Sequence, residues 1–205
     1  MPREIVRRII ASSEFAGRSG DRQTVTALFS DIRDFTTICE RYPAEQVVSM
    51  LSQYFDLFSR VIERHHGVIV QFSGDGVFAL WNAPQPDEQH RDHACRCALE
   101  LKSALDAFNE QRRRVGAPEC ITRFGVHTGS VIVGSVGAAD RLQYTAMGDA
   151  INVASRLEGL NKEFGTSILV SGEMVHSVEV DLTFRALGSV QVKGRGERLT
   201  VFELA

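Results

Sequence analysis

The chain has 205 residues, of which 43% are hydrophobic and 24% charged, and its formal net charge is −3 at pH 7. This length and composition suit one folded domain with a sizeable core and exclude wholesale disorder. The mild negative balance argues against a general polyanion surface, so no nucleic-acid partner is expected, and no apolar run approaches the roughly 20 residues of a membrane-spanning helix. Cys39, Cys95, Cys97 and Cys120 have neither disulfide-framework nor zinc spacing, so they read as reduced thiols and the expected location is cytoplasmic.

Residues 1–22 read as a helical linker or coupler to a regulatory region of a longer parent protein. Ile5, Val6, Ile9 and Ile10 can line one side of a short helix, and a Ser/Gly-rich stretch follows. Residues 23–205 alternate strands and helices. Thr24–Ser30 is a short β-prone run, and a loop and short helix follow it. Pro43 opens a helix in which Val47, Leu51, Tyr54, Phe58 and Ile62 recur at helical spacing, and Gly67 closes it. Val68–Ser73 and Val77–Trp81 form a hairpin with Asp75 at its tip. Ala94, Ala98, Leu101, Leu105 and Phe108 mark a second long helix. Ile121–His127 and Ser130–Val136 read as another hairpin, turned at Gly129. Ile151, Ala154, Leu157, Leu160 and Phe164 mark a third helix, ended by Gly165. Short strands near Ile168, Phe184–Val192 and Leu199–Leu204 finish the chain. The expected fold class is α+β, a ferredoxin-like βαββαβ core with a C-terminal α/β extension.

Three groups of residues carry chemistry. The first is Asp31 at a strand end, followed by a loop whose backbone N–H groups suit phosphate oxygens. The second is Asp75; if the strands pair as in this fold, it converges with Asp31. Either Asp alone is an ordinary turn former. Two carboxylates together beside a phosphate-binding loop suit divalent Mg or Mn. The third is Asn152 and Arg156, four apart and so on one helix face, an amide and a guanidinium able to orient a ribose or phosphate. Arg123, in an otherwise apolar strand, either enters a site or faces water. Lys193, in Val192-Lys193-Gly194-Arg195-Gly196, lies in a glycine-rich stretch that allows a flexible approach to phosphate, although a solvated turn lysine is the ordinary explanation. His127 reads as a packed strand histidine.

Taken together, Phe29-Ser30-Asp31-Ile32 with Phe35-Thr36, Ser73-Gly74-Asp75, Arg123 to Gly129, Gln143 to Asp149 with Asn152 to Arg156, and Val192-Lys193-Gly194 resemble the class III nucleotidyl cyclases. The resemblance runs in order over roughly residues 22–204. It implies that Asp31 and Asp75, with the Ile32 carbonyl, hold two divalent ions per active site. It implies phosphate contacts from Phe35, Thr36, Arg123 and Lys193, ribose orientation by Asn152 and transition-state stabilisation by Arg156. It also implies a head-to-tail homodimer, in which Asn152 and Arg156 of one copy complete the metal site of the other.

The implied reaction converts ATP to 3′,5′-cyclic AMP and pyrophosphate. The base-reading positions depart from the family pattern: Gln71 stands where adenylate cyclases usually carry Lys, with Thr145 as its partner. A Gln amide can match adenine in one orientation and guanine in the other, so ATP is preferred over GTP on amide complementarity alone. A guanylate or purine-promiscuous cyclase, or a degenerate nucleotide-binding regulatory domain, remain alternatives. A diguanylate-cyclase or polymerase-palm reading lacks its Gly-Gly-Asp-Glu-Phe signature. Asp34 stands where many members have Gly.

Overall fold

The structure, a computed structural model, describes residues 20–138, 141–176, 178, 181–191 and 198–205. The coupler expected over 1–22 therefore lies, up to residue 19, outside the described residues, as does Lys193.

In chain order the elements are β1 (Gly20–Ile32), α1 (Phe35–Arg41), α2 (Ala44–Arg64), β2 (Val68–Ser73), β3 (Gly76–Trp81), α3 (His90–Arg114), β4 (Thr122–Ala138), β5 (Arg141–Met147), α4 (Asp149–Phe164), β6 (Ile168–Ser171), α5 (Gly172–Val175), β7 (Phe184–Gln191) and β8 (Arg198–Leu204). The sheet order is β2-β3-β1-β4-β6-β8-β7, with β5 paired to the distal half of β4. The first four strands have the ferredoxin-like order expected from the sequence, and β6 to β8 form the C-terminal extension. Among the described residues only the β4–β6 pairing is parallel.

Side chains alternate across each strand, so each face of the sheet acquires its own core. On one face, Leu28, Ile32, Phe124 and Val126 pack with Tyr54, Phe58 and Ile62 of α2 and with Ala94, Ala98 and Leu101 of α3. These helical residues recur every three or four positions, the stripe that a half-buried helix requires. On the other face, Val25, Ala27, Phe78, Val131 and Val133 pack with Tyr144 and Ala146 of β5 and with Ala150 and Ala154 of α4. Val153 and Leu157 of α4 reach Leu169, Leu199 and Val201, binding the extension to the core.

The hairpin expected at Gly129 is not formed. β4 runs unbroken and pairs with β1 from Gly20↔Gly134 to Ile32↔Thr122. Gly129 serves a close approach instead: a Cβ there would stand 2.7 Å from the Ala150 Cβ at the start of α4. Gly125 does the same further along, where a Cβ would stand 2.2 Å from both the Ala154 carbonyl oxygen and the Glu158 backbone nitrogen. Helix α4 thus lies with its backbone on the strand. Gly125→Ala forces backbone apart from backbone and is expected to destabilise the fold by about 3 kcal/mol or more, read as a lower urea midpoint. A loss below about 1 kcal/mol would contradict this packing.

Candidate active site

The site lies where β1 ends. The two-residue turn between β2 and β3 brings Asp75 against that end, and its Oδ2 accepts the Ile32 backbone N–H at 2.9 Å. Gly76 permits the approach, since a Cβ there would stand 2.8 Å from the Ser30 carbonyl oxygen. Asp31 and Asp75 therefore converge, as the strand order required. Burial is the largest influence on Asp31, and hydrogen bonding and repulsion from Asp75 and repulsion from Glu158 add to it; its carboxyl is pushed up to about 7. Two acids that resist being ionised together fit a divalent cation, which bonds to carboxylate and carbonyl oxygens and removes the repulsion. The donors on offer are the two carboxylates and the Ile32 carbonyl, leaving further positions for substrate oxygens and water. Among the described residues no group of three His, Cys, Asp or Glu side chains forms a candidate metal site.

This pair makes stability depend on pH. The unfolded carboxyl has the ordinary value of 3.8 and the folded one about 7, so between these values the native state holds the extra proton. The cation-free fold is therefore stabilised as pH falls through about 7 and loses that stabilisation as pH rises. A divalent ion must displace the proton at low pH. The rise in Tm on adding Mn is thus expected to be larger at pH 8 than at pH 6; equal rises at both would contradict it.

After Ile32 the chain turns sharply. Asp34 adopts φ 56°, a left-handed conformation that Asp tolerates better than most residues, and lies 3.6 Å from the Arg33 guanidinium. Helix α1 then begins at Phe35, and its first turn, including Thr36, leaves backbone N–H groups free. The Arg33 N–H donates to the Ile121 carbonyl at 2.8 Å and fastens this loop to the start of β4.

On α4 the buried residues Ala150, Val153, Ala154, Leu157 and Asn161 face the sheet. Asn152 is exposed and Arg156 half-buried, a turn apart as their spacing required. Among the described residues, neither is hydrogen-bonded or ion-paired to Asp31 or Asp75. Arg123 stands opposite Asp31 on β4 and is half-buried. His127 is buried and its Nδ1 lies 2.7 Å from the Ser171 hydroxyl, a packed histidine as expected.

Gln71 follows a bulge between Ile69 and Gln71 in the β2–β3 pairing, an irregularity that re-aims a side chain. The Gln143 amide of β5 donates to the Gln71 Oε1 at 3.2 Å. Gln143 and Thr145, two apart, leave β5 on the same side. The sequence reading singled out Gln71 and Thr145 but not Gln143, and it passed over Glu158. Each is an ordinary surface residue until β5 is seen beside β2 and α4 beside Gly125.

Residues 18–204 match the family model described as the adenylate and guanylate cyclase catalytic domain. Adenylate cyclase 1 of Rhizobium meliloti (strain 1021) is 56% identical over 204 residues, which are 100% of this chain and 31% of that protein. The chain thus spans about a third of that relative's length. Among solved structures, the guanylyl cyclase Cya2 has a TM-score of 0.84 at 31% identity, covering 91% of this chain and 94% of its own. The adenylyl cyclase CyaB from P. aeruginosa has a TM-score of 0.84 at 28% identity, covering 91% and 96% respectively.

Proposed function

The chain belongs to the adenylate and guanylate cyclase catalytic domain family, and from that premise we propose that it converts ATP to 3′,5′-cyclic AMP and pyrophosphate in a head-to-tail homodimer. The observation that carries this reading is the convergence of Asp31 and Asp75, with the strained carboxyl that results. Asp31, Asp75 and the Ile32 carbonyl would hold two divalent ions, Mg or Mn, which when bound acidify the ribose 3′-hydroxyl and neutralise the phosphates.

The protein's own groups do the rest. Arg123 and Lys193 draw the terminal phosphates, and the free N–H groups at Phe35 and Thr36 donate to the phosphate oxygens. Asn152 of the second copy orients the ribose, and Arg156 of that copy meets the charge that grows on the α-phosphoryl group. Two features support assembly from two copies. Asn152 and Arg156 lie on a face of α4 unconnected to the carboxylates of their own chain. Strands β4 and β5 also expose the apolar side chains of Ile132, Val136 and Met147, each 44–50% accessible.

The Gln143–Gln71 bond supports ATP over GTP. With its Oε1 occupied, Gln71 presents its NH₂ group as a donor, which suits the ring N1 acceptor of adenine; Thr145 can accept from the adenine amino group. Guanine offers N1–H there, donor against donor. Gln143→Glu accepts instead of donating, so the Gln71 amide turns over. The ATP:GTP ratio of kcat/KM is then expected to fall about tenfold. The assay is incubation with each triphosphate and Mn, with the cyclic product identified by mass. Cyclic AMP and pyrophosphate from the unaltered chain support the reading, and absence of any cyclic product contradicts it. An unchanged ratio in the variant contradicts the assignment of Gln143.

A further inference from the structure

Helix α4 lies on β4 along Gly125, His127 and Gly129, which alternate with Val126 and Thr128 and so share one side of the strand. Two of these three have no side chain, and the helix comes close at both. Over Gly125 lie the Ala154 carbonyl oxygen and the Glu158 backbone nitrogen, and over Gly129 lies the Ala150 Cβ. His127 stands between them, the one side chain that this stretch turns toward the helix. It is buried, and its Nδ1 lies 2.7 Å from the hydroxyl of Ser171, also buried. Ser171 follows Val170, which pairs with Val126, so the bond ties β4 to the neighbouring strand β6. It also fixes the ring so that Nε2 sits at the start of α4: a Cβ at Gly129 would stand 3.3 Å from Nε2 and 2.7 Å from the Ala150 Cβ. Leu169, two residues before Ser171 and on the same side of β6, packs with Val153 and Leu157 of α4. The imidazole thus joins β4, β6 and the first turn of the helix that carries Asn152 and Arg156.

We propose that His127 is a positioning residue: bonded to Ser171, it sets where the first turns of α4 rest on the sheet, and with them the reach of Asn152 and Arg156 into the other copy's carboxylate site. This rests on the two-copy site of the proposed function and deepens it. The leverage is large, because a displacement of about 1 Å at reacting groups can cost about 10²-fold in rate. His127 itself touches neither carboxylate, being four residues along the ladder from the Asp31 pair: it stands opposite Ala27, and Arg123 opposite Asp31.

Two measurements test it. In amide hydrogen exchange, His127→Leu is expected to speed exchange about tenfold over residues 149–156, the scale of one lost buried hydrogen bond, while β1 and α2 change by less than about twofold. Ser171→Ala, which releases the ring but keeps it, should shift the same residues. Unchanged exchange over 149–156, or equally faster exchange throughout the sheet, would overturn the proposal. The second measurement places His127→Leu in mixed dimers of Asp31→Ala and Arg156→Ala chains. Their one complete centre takes its carboxylates from the Arg156→Ala chain and its Asn152 and Arg156 from the Asp31→Ala chain. Added to the Asp31→Ala chain, His127→Leu is expected to lower cyclic nucleotide formation per mixed dimer about tenfold; added to the Arg156→Ala chain, by less than about twofold. Equal losses in both arrangements would mean that His127 merely holds the sheet, and would overturn the proposal. If the mixture without His127→Leu makes no product, the two-copy reading is refuted, while exchange over 149–156 still decides whether His127 sets α4.

Discussion

An Asp31→Ala chain is expected to form cyclic nucleotide about 10³-fold more slowly than the unaltered protein, since cation anchoring at a phosphoryl site contributes several kcal/mol and each 1.4 kcal/mol is tenfold. The loss is not one of folding. Asp31 stands at the end of a strand and its carboxyl makes no contact that β1 needs, while the residues beside it, Ser30 and Ile32, are buried and hold β1 in place. Removing a carboxyl that burial and Asp75 push up to about 7 also relieves repulsion. The variant's cation-free form should therefore melt at or above the temperature of the unaltered protein at pH 8. Loss of activity without loss of stability separates a functional acid from a structural one. If turnover survived within about tenfold, the carboxylate pair would not be the cation anchor.

Arg156→Ala is the second large effect, about 10²–10³ in kcat, the usual result of removing one donor aimed at transition-state charge. KM for the triphosphate should change little, because the charge that Arg156 meets grows only as the reaction proceeds. The side chain is half-buried on the outer face of α4, whose anchoring residues Val153, Ala154 and Leu157 point the other way. Steady-state kinetics on ATP with saturating Mn reads both constants. A raised KM with an unaltered kcat would instead make Arg156 a ground-state phosphate contact.

Much of this architecture is legible in the sequence. The helical spacing of Val47, Tyr54, Phe58 and Ile62 corresponds to the stripe of α2 that packs on the sheet, and the Gly74-Asp75 turn corresponds to the hairpin that carries the second carboxylate. Convergence of Asp31 with Asp75 followed from the strand order alone. What escaped was set by contacts distant in sequence. Gly129 has the look of a turn residue, and only the start of α4 passing over it explains a glycine inside a continuous strand. Residues 141–147 carried motif residues without a strand signature, so β5 and the reach of Gln143 to Gln71 had no local sign. Glu158 follows Arg156 by two and looks like any helix acid. Its repulsion of Asp31 arises because Gly125 lets the helix lie on β4. Local periodicity thus conveys elements and their faces, whereas the partners of a polar side chain depend on which strands and helices finally meet.

The central claim is that one chain's carboxylates and another chain's Asn152 and Arg156 make a single reaction centre. Co-purified mixtures of differently tagged Asp31→Ala and Arg156→Ala chains address it most directly. Each variant alone should be nearly inactive, yet random pairing of the two should return about a quarter of the unaltered activity, because half the dimers then hold one intact centre out of two. Pull-down of mixed dimers that make no cyclic nucleotide would contradict the account.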